Sequence, residues 1–343
     1  MTDQQIRHLI DRGGLPDADP DTALVSTHIS WVILTRDHAY KIKKPVHFSF
    51  LNFSSLEARR YFCEQELSLN RRLAPDMYLN IVPVYQGPDG PVLAKAEGRV
   101  IDYALRMRRL DSSRQMDQLL EQGEVVPDQI DALADQMIAF HRSVQVVKNA
   151  FDLRTWRNTY NDLEVILDQV HDWGLEETAR TIERAISLSD AFLEKYGERM
   201  LERQEEGWVV NGHGDLHARN IFLTDPPAIF DCIEFSEELR HLDVLNEIAF
   251  FCMDMDVFDR PDLGERFFRR YTASIPCLAK PEDELLFRYF KLYRCNVRLK
   301  VNGLGATQSG LTTENRSTID HYTRLMQQYV SILSHANGPE TVV

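Results

Sequence analysis

The segment over residues 211–231 constrains the fold of this chain more than any other part of its sequence. It reads Asn-Gly-His-Gly-Asp-Leu-His-Ala-Arg-Asn-Ile-Phe-Leu and, after a Thr-Asp-Pro-Pro turn, continues Ala-Ile-Phe-Asp. The apolar residues at 221–223 and 228–230 predict two short strands that form a hairpin across this turn. Asn220 precedes the first strand and Asp231 follows the second, so an amide and a carboxylate are expected to lie near each other.

Asp215, five positions before Asn220, completes a set of groups suited to phosphoryl transfer. The transition state of that reaction is loose, so a protein mainly has to position an acceptor hydroxyl and hold Mg²⁺ against the phosphates. Asp215 is predicted to orient the hydroxyl and accept its proton, and Asn220 and Asp231 are predicted to bind the metal. The spacing Asp-x-x-x-x-Asn is that of a kinase catalytic loop. In the alternative interpretation, Asp215 and Asn220 only cap turns between a helix and a strand.

The sequence His-Gly-Asp-Leu-His-Ala-Arg-Asn at residues 213–220 resembles the His-Gly-Asp-x-x-x-x-Asn loop of the aminoglycoside phosphotransferase family. This resemblance implies an α+β, bilobal protein-kinase-like fold, with a small antiparallel-sheet N-lobe that carries one helix and a larger, mostly helical C-lobe. It also implies ATP and Mg²⁺ as cofactors and a small hydroxylated molecule as the acceptor. At the positions that match the family, His213 organises the loop and Asp243 supports it. An aspartate favoured by a helix dipole is the alternative for Asp243.

A kinase of this type holds the nucleotide phosphates with a lysine on an N-terminal strand, which a helix glutamate orients. The sequence Ala-Tyr-Lys-Ile-Lys around Lys41 resembles the Val-Ala-Ile-Lys strand of kinases, so Lys41 is the predicted phosphate ligand. Side chains alternate along a strand, so Lys43 shares the face of Lys41 and is the alternative. On the helix predicted over residues 54–74, Glu66 is preferred over Glu64 as the partner. A solvated basic strand and a plain surface glutamate are the structural alternatives.

The glycine-rich loop that usually covers the phosphates is missing, because no glycine occurs between Gly14 and Gly87. Ser26, Thr27 and His28 precede a predicted strand and stand in its place. Their hydroxyls and backbone amides are predicted to contact phosphate. The departure from the family pattern leaves open a nucleotide-binding or regulatory pseudokinase as an alternative to an enzyme.

The N-lobe is predicted over residues 1–106 and the helical C-lobe over residues 107–343. Met107, at the end of the last N-lobe strand, is predicted to lie at the hinge whose backbone contacts the adenine; a plain interdomain strand is the alternative. The predicted strands are 31–35, 39–46, 81–86, 91–96 and 100–109. The predicted helices of the C-lobe are 127–144, 159–172, 176–197, 240–254, 259–273, 282–302 and 312–336.

The residues after Asp231 favour a small acceptor over a protein acceptor. Asp231 is followed by Cys-Ile-Glu-Phe rather than by a glycine two positions on, and Asp243 comes only twelve residues later, which leaves no room for an activation loop. His217 stands where serine/threonine kinases have lysine, so a protein kinase is the less favoured alternative. The Lys-Lys-Pro strand and the Asp-Cys-Ile-Glu-Phe stretch resemble an uncharacterised bacterial group that in longer relatives is fused to a P-loop kinase.

The net charge of −14 is unevenly distributed along the chain. Residues 1–110 contain 15 Lys/Arg and 13 Asp/Glu, whereas the remainder contains 24 and 40. Nucleic acid is therefore not an expected partner. The acidic remainder would suit a cationic acceptor such as an aminoglycoside or a choline-like amine, although solvated acidic stretches explain much of the imbalance. Arg294, Arg298 and Lys300 lie on one predicted helix and could face the cleft, but they are interpreted as a solvated basic stripe.

The remaining composition predicts a globular cytoplasmic protein. No run of 18 apolar residues and no basic-then-apolar N-terminal pattern occurs, so neither a membrane span nor a signal peptide is expected. The five cysteines are scattered and lack Cys-x-x-Cys spacing, which argues against a disulfide scaffold and a zinc site.

Overall fold

The computed structural model describes residues 1–48, 51–93, 98–148 and 150–336. Two compact units make up the chain: residues 1–122 with 219–237, and residues 123–218 with 238 onward. The division into lobes at residue 106 stays a prediction, because compactness alone does not define a functional lobe.

The first unit is built on a six-stranded antiparallel sheet with the order β1-β2-β3-β8-β6-β7. Its strands are β1 (Ala23–Ser26), β2 (Ser30–Leu34), β3 (His38–Lys43), β6 (Tyr78–Gly87), β7 (Gly90–Val92) and β8 (Arg99–Arg108). The two-residue strands β4 (His47–Phe48) and β5 (Leu51–Asn52) pair with each other. The strand predicted over 91–96 ends at Val92 in the structure, and its last three residues lie outside the described ranges.

Side-chain alternation on β3 separates the apolar core from the charged groups. Tyr40 and Ile42 point into a core cluster with Trp31 and Ile33. Lys41 and Lys43 occupy the intervening positions and therefore point to the opposite face of the sheet. This is the arrangement predicted for the two lysines.

Two helices pack against the sheet, α1 (Asp3–Asp11) and α2 (Leu56–Asn70). Only α2 was expected from the sequence. Thr2 and Gln5 form a capping box at the start of α1, and Ile6 and Leu9 are buried in the sheet's core cluster. The Thr-x-x-Gln pattern is a known helix start signal and would have revealed this helix.

The hairpin predicted from residues 221–230 forms in the first unit. Its strands are β10 (Ile221–Phe222) and β11 (Ala228–Ile229), with Ile221 opposite Ile229. The N–H of Phe230 donates to the carbonyl oxygen of Asn220 at 2.9 Å. Asn220 and Asp231 therefore flank the open end of one hairpin, as expected.

The second unit is mainly helical. Its helices include α4 (Pro127–Ser143), α5 (Leu153–Asn161), α6 (Leu167–Asp172), α7 (Glu176–Glu205), α9 (Val244–Val257), α10 (Pro261–Ser274), α11 (Pro281–Ser309) and α12 (Thr313–Ala336). The short helix α3 (Met116–Glu121) belongs to the first unit, and α8 (Glu237–Arg240) lies where the chain passes into the second. Strands β9 (Val209–Asn211) and β12 (His241–Asp243) pair antiparallel on either side of the loop that contains Asp215.

Helix α7 extends eight residues beyond its predicted end at residue 197. Gly197 lies inside the helix and does not end it. A Cβ at this position would lie 2.8 Å from Leu153 Cδ1, so the glycine allows α5 to pack closely against α7. Gly303 has the same role in α11, where a Cβ would lie 2.9 Å from Ile166 Cδ1. Within the described part of the chain, none of the helices has the combined length and apolarity needed to cross a bilayer.

Candidate active site

Lys41 joins two other predicted site residues in the first unit. Its Nζ lies 2.7 Å from Glu66 Oε1 and 2.6 Å from Asp231 Oδ1. Glu66 is completely buried and Asp231 is 44% exposed. The structure thus brings a strand lysine, a helix glutamate and the aspartate after the hairpin into direct contact.

Lys43 binds the other oxygen of the same glutamate. Its Nζ lies 2.7 Å from Glu66 Oε2 and also forms an ion pair with Glu234. We call these five residues, Lys41, Lys43, Glu66, Asp231 and Glu234, the shared-carboxylate cluster. Sequence reasoning offered Lys43 only as a substitute for Lys41 and did not identify Glu234. Glu234 is the single charged residue in the apolar run Cys-Ile-Glu-Phe, and this pattern could have indicated a buried ion pair.

Burial and ion pairing have opposite effects on the pKa values of the carboxyl groups in this cluster. Burial alone raises the pKa of Glu66, but Lys41 and Lys43 override it and lower that pKa to about 2. Burial also raises the pKa of Glu234, and Lys43 only partly offsets this effect. Glu66 is therefore ionised at neutral pH, with one ammonium group on each oxygen.

The backbone after the hairpin is anchored to α2 and to the sheet. The Asp231 N–H donates to the Tyr78 hydroxyl at 3.1 Å, and the Cys232 N–H donates to Asn70 Oδ1 at 2.8 Å. Asp231 has a φ of +61°, a left-handed conformation that disfavours residues other than glycine. These two hydrogen bonds and the ion pair with Lys41 stabilise that conformation.

Ser26, Thr27 and His28 form the end of β1 and the turn to β2, where all three are exposed. The ammonium group of Lys44 donates to Ser26 Oγ at 2.9 Å and to the carbonyl oxygen of Thr27. Lys44 was not among the residues predicted from the sequence to contact phosphate. It in fact adds a positive charge to the turn that was predicted to cover phosphates.

Met107 lies near the end of β8, in register with Ala39 and Tyr78 on the neighbouring strands. Its side chain is buried in a second core cluster of the first unit, together with Leu105 and Phe222. The contact of its backbone with adenine stays a prediction.

In the second unit, Glu247 on α9 holds the loop that carries Asp215. Its Oε1 accepts hydrogen bonds from the N–H groups of His213 at 2.8 Å and Gly214 at 2.6 Å. Its Oε2 lies 2.8 Å from His141 Nε2. A Cβ on Gly212 would lie 2.4 Å from Oε2, and Gly214 has a φ of +87°. Both glycines are needed for the loop to wrap around this carboxylate.

Asp215 is oriented by the histidines on either side of it. Its N–H donates to His213 Nδ1 at 3.2 Å, and its Oδ2 lies 3.2 Å from His217 Nε2. About a third of its side chain, 35%, is exposed. Burial acts to raise the pKa of Asp215, but the attraction of His217 and Arg298 is stronger and lowers that pKa below its usual range. Asp215 is therefore an ionised, accessible carboxylate at neutral pH.

Asp243, predicted to support this loop, makes its contacts elsewhere. Its carboxylate caps α9 by accepting the Leu245 N–H at 2.8 Å and pairs with the buried Arg203 at 2.6 Å. The side chain turns back toward the helix N-terminus, so the loop amides bind Glu247 instead. A second residue on α9, Asp254, accepts the N–H of Ala218 at 2.7 Å. Glu247 and Asp254 are acidic residues inside an otherwise apolar helix, and this pattern would have indicated that they bind buried groups.

The interpretation of Arg294 as part of a solvated stripe is wrong. Arg294 is buried, its Nε donates to Asn246 Oδ1 at 2.7 Å, and its Nη1 donates to the carbonyl oxygen of Gly214 at 3.1 Å. It is thus a further support of the Asp215 loop. Lys300 forms an ion pair with Asp162 at 2.7 Å.

Residues 61–282 match the sequence profile of the phosphotransferase enzyme family. The chain belongs to the phosphotransferase enzyme family. This confirms the resemblance inferred from the loop at residues 213–220. Uncharacterized proteins from Mycobacterium bovis and Mycobacterium tuberculosis are 32% identical to this phosphotransferase-family chain over 291 residues. The alignment covers 82% of this chain and 55% of those proteins, so the chain spans about half the length of the curated relatives it matches.

Solved structures confirm the kinase-like fold. A choline kinase from Cryptosporidium parvum superposes with a TM-score of 0.56 at 12% identity, over 97% of each chain. A choline/ethanolamine kinase family protein from Mesorhizobium loti gives 0.53 at 13% identity, over 93% of this chain and 94% of that one. The GDP complex of an aminoglycoside 2'-phosphotransferase gives 0.50 at 14% identity, over 96% and 99%. The predicted fold class is confirmed.

Lys43→Met is expected to destabilise the protein by about 3–5 kcal/mol, because it leaves buried carboxylates with too few ammonium partners. Adding Glu234→Gln should recover part of this loss, since the double variant removes both members of one pair. Urea unfolding of the two single variants and the double variant measures the coupling. Lys44→Met, at the neighbouring lysine outside the cluster, is the control and should change stability much less. Strictly additive effects of the two substitutions would contradict the ion pair between Lys43 and Glu234.

Glu247→Gln is expected to reduce stability at pH 7 by about 3 kcal/mol. The folded protein lowers the pKa of Glu247 from 4.5 to about 2, and a pKa that is lower by one in the folded state stabilises that state by about 1.4 kcal/mol. A carboxylate with a depressed folded pKa stabilises the protein above its unfolded pKa. The difference between wild type and variant should therefore shrink as the pH falls from 4.5 toward 2.

Urea unfolding over a pH series measures this difference. Glu198→Gln, at an exposed position on α7, serves as the matched control and should show little effect. A wild-type-minus-variant difference that stays constant down to the lowest pH at which both proteins fold would contradict the role assigned to Glu247.

Proposed function

We propose that the chain is an ATP- and Mg²⁺-dependent kinase that phosphorylates a hydroxyl group of a small molecule. The observation that carries this proposal is the contact of Lys41 with both Glu66 and Asp231. Family membership supports phosphoryl transfer. The structural neighbours include choline, ethanolamine and aminoglycoside kinases, which is consistent with a small acceptor.

The first unit supplies the groups for the nucleotide. Lys41 would bind phosphate oxygens, and Glu66 would keep its ammonium group in place on β3. The turn at Ser26 and Thr27 would contribute hydroxyls and backbone amides, and Lys44 would add the positive charge that a glycine-rich loop lacks. The backbone near Met107 would meet the adenine.

Asn220 and Asp231 have the donor chemistry that Mg²⁺ requires. Both offer oxygen ligands, which hard divalent cations prefer, and nearly half of the Asp231 side chain is exposed. When bound, Mg²⁺ would neutralise charge on the phosphate oxygens. Asp231 would then exchange part of its contact with Lys41 for the metal, which leaves the Lys41 ammonium group for the phosphates.

Asp215 would act on the acceptor. Its ionised carboxylate accepts the hydrogen bond of the acceptor hydroxyl and so orients the oxygen for attack on the γ-phosphorus. As the new P–O bond forms, the bond to the β-phosphate oxygen breaks and the nucleoside diphosphate leaves. The hydroxyl proton passes to Asp215, and His217 beside the carboxylate fixes its orientation.

Asp215→Asn is expected to lower kcat by about 10²–10⁴-fold, because the amide cannot accept the proton. ATP affinity, measured by calorimetry, should remain within a few-fold of wild type. The assay is ADP or GDP release with ATP or GTP over a panel of sugars, amino alcohols, hydroxy acids, nucleosides and aminoglycosides. Asp225→Asn, an exposed aspartate in the turn of the hairpin, is the matched control and should retain full activity.

Two outcomes would reject the proposal. Equal turnover by wild type and Asp215→Asn would remove Asp215 from the reaction. Tight ATP binding with no product release from any acceptor would instead favour a nucleotide-binding module, the alternative that the missing glycine-rich loop suggests.

A further inference from the structure

Helix α11 carries two arginines on one face, and the first of them, Arg294, contacts the loop that carries Asp215. Arg294 and Arg298 are four residues apart, so they lie on the same face of the helix, one turn from each other. Arg294 already fixes the orientation of this face, because its guanidinium donates to the Gly214 carbonyl oxygen and to Asn246. Its guanidinium also stacks on the ring of Phe250, 4.8 Å from the centroid. Arg294 is therefore committed to contacts within the protein.

Arg298, one turn further along, has a hydrogen-bond partner in the described part of the chain for only one of its three guanidinium nitrogens. Its Nε lies 3.3 Å from the hydroxyl oxygen of Tyr322 on α12. Within residues 1–48, 51–93, 98–148 and 150–336, no carboxylate lies within ion-pair distance of its guanidinium, and neither Nη atom has a hydrogen-bond partner. The side chain is half-buried, and neither Nη atom is among the fully enclosed polar atoms of the described residues that lack a partner.

Both lysines of α11 form ion pairs. Lys291 pairs with Asp256 at 2.5 Å, and Lys300 pairs with Asp162 at 2.7 Å. A half-buried guanidinium loses part of its hydration, and without a carboxylate partner no ion pair offsets this loss. Arg298 differs from Arg294, whose Nη1 binds a backbone carbonyl, because within the described residues its own Nη donors have no partner and are left for a ligand.

The surroundings of Arg298 include the proposed base. Burial acts to lower the pKa of Arg298, but Tyr322, Asp254 and Asp215 raise it overall, so the guanidinium stays charged. Asp254 is itself held by the N–H of Ala218, three residues after Asp215. The positive charge of Arg298 thus interacts with Asp215, the carboxylate that would activate the acceptor hydroxyl.

We propose that Arg298 binds an anionic group, a carboxylate or a phosphate, on the acceptor molecule. The planar guanidinium offers its two Nη groups in the geometry that suits the paired oxygens of such anions. The inference rests on the proposed kinase function and narrows its substrate class. It replaces the expectation of a cationic acceptor that the acidic composition suggested, since an amine would be repelled by Arg298.

The test compares acceptors that differ only in charge, with the full-length chain, ATP and Mg²⁺. Matched pairs are D-glycerate against glycerol for the carboxylate and glucose 6-phosphate against glucose for the phosphate; choline and kanamycin form the cationic arm. Wild type is expected to use the anionic member of a pair with a kcat/KM about 10- to 100-fold higher, as for a charge-assisted hydrogen bond gained.

Arg298→Gln should raise KM for that anionic acceptor about 10- to 100-fold, with kcat and the KM for ATP nearly unchanged. Arg298→Lys keeps the charge without the planar pair of donors and should recover part of the loss. Arg288→Gln, at an exposed arginine on the same helix, is the matched control and should behave as wild type.

A second readout does not depend on turnover. With the nucleotide site saturated by a non-hydrolysable ATP analogue, wild type should bind D-glycerate or inorganic phosphate at least about 10-fold more tightly than Arg298→Gln in calorimetry. The pair that shows the difference identifies whether carboxylate or phosphate is recognised.

Three outcomes would overturn the inference. They are equal anion binding by wild type and Arg298→Gln, turnover confined to the cationic arm, and an equal loss of kcat with charged and neutral acceptors. The last would place Arg298 on the transferred phosphoryl group instead. A failure of the kinase proposal itself is recognised separately, by turnover that does not depend on Asp215.

Discussion

The first unit depends on one buried carboxylate that is shared by two lysines. Glu66 lies on α2, Lys41 and Lys43 lie on β3, and the same lysines reach Asp231 and Glu234 beyond the hairpin. A buried ion is tolerable only when its partners are close and complete. Each of the three chain segments therefore needs the other two in place, and the ion pairs connect a helix, a strand and a loop that are distant in sequence.

The second unit uses the same principle around Glu247. One of its oxygens binds two consecutive backbone amides of the Asp215 loop, and the other faces His141. Arg294 binds the carbonyl side of the same loop. The loop is thus held by side chains from α9 and α11, with His141 of α4 behind Glu247, and the side chain of Asp215 stays partly exposed. In each unit a buried glutamate without a proposed role in the reaction helps to position an aspartate that has one: Glu66 acts on Asp231 through Lys41, and Glu247 holds the loop of Asp215.

Local features of the site were predictable from the sequence and long-range ones were not. The hairpin that brings Asn220 near Asp231 follows from turn residues between two short apolar runs, and the shared face of Lys41 and Lys43 follows from strand alternation. Glu234, Glu247 and Lys44 were missed because their partners are set by tertiary packing, which no spacing rule encodes. Asp243 was expected at the loop, but the N–H groups of its own helix and Arg203 compete for its carboxylate.

The residues that follow Asp231 leave little freedom for this aspartate to change position. In its segment the Asp231 amide is bound by Tyr78, the Cys232 amide by Asn70 and the Glu234 carboxylate by Lys43. Displacing the whole segment outward would break all three attachments and expose the buried Lys43 ammonium group. The carboxylate proposed as a metal ligand is thus held beside the Lys41 ammonium group by the contacts of its own chain segment, before any nucleotide is bound.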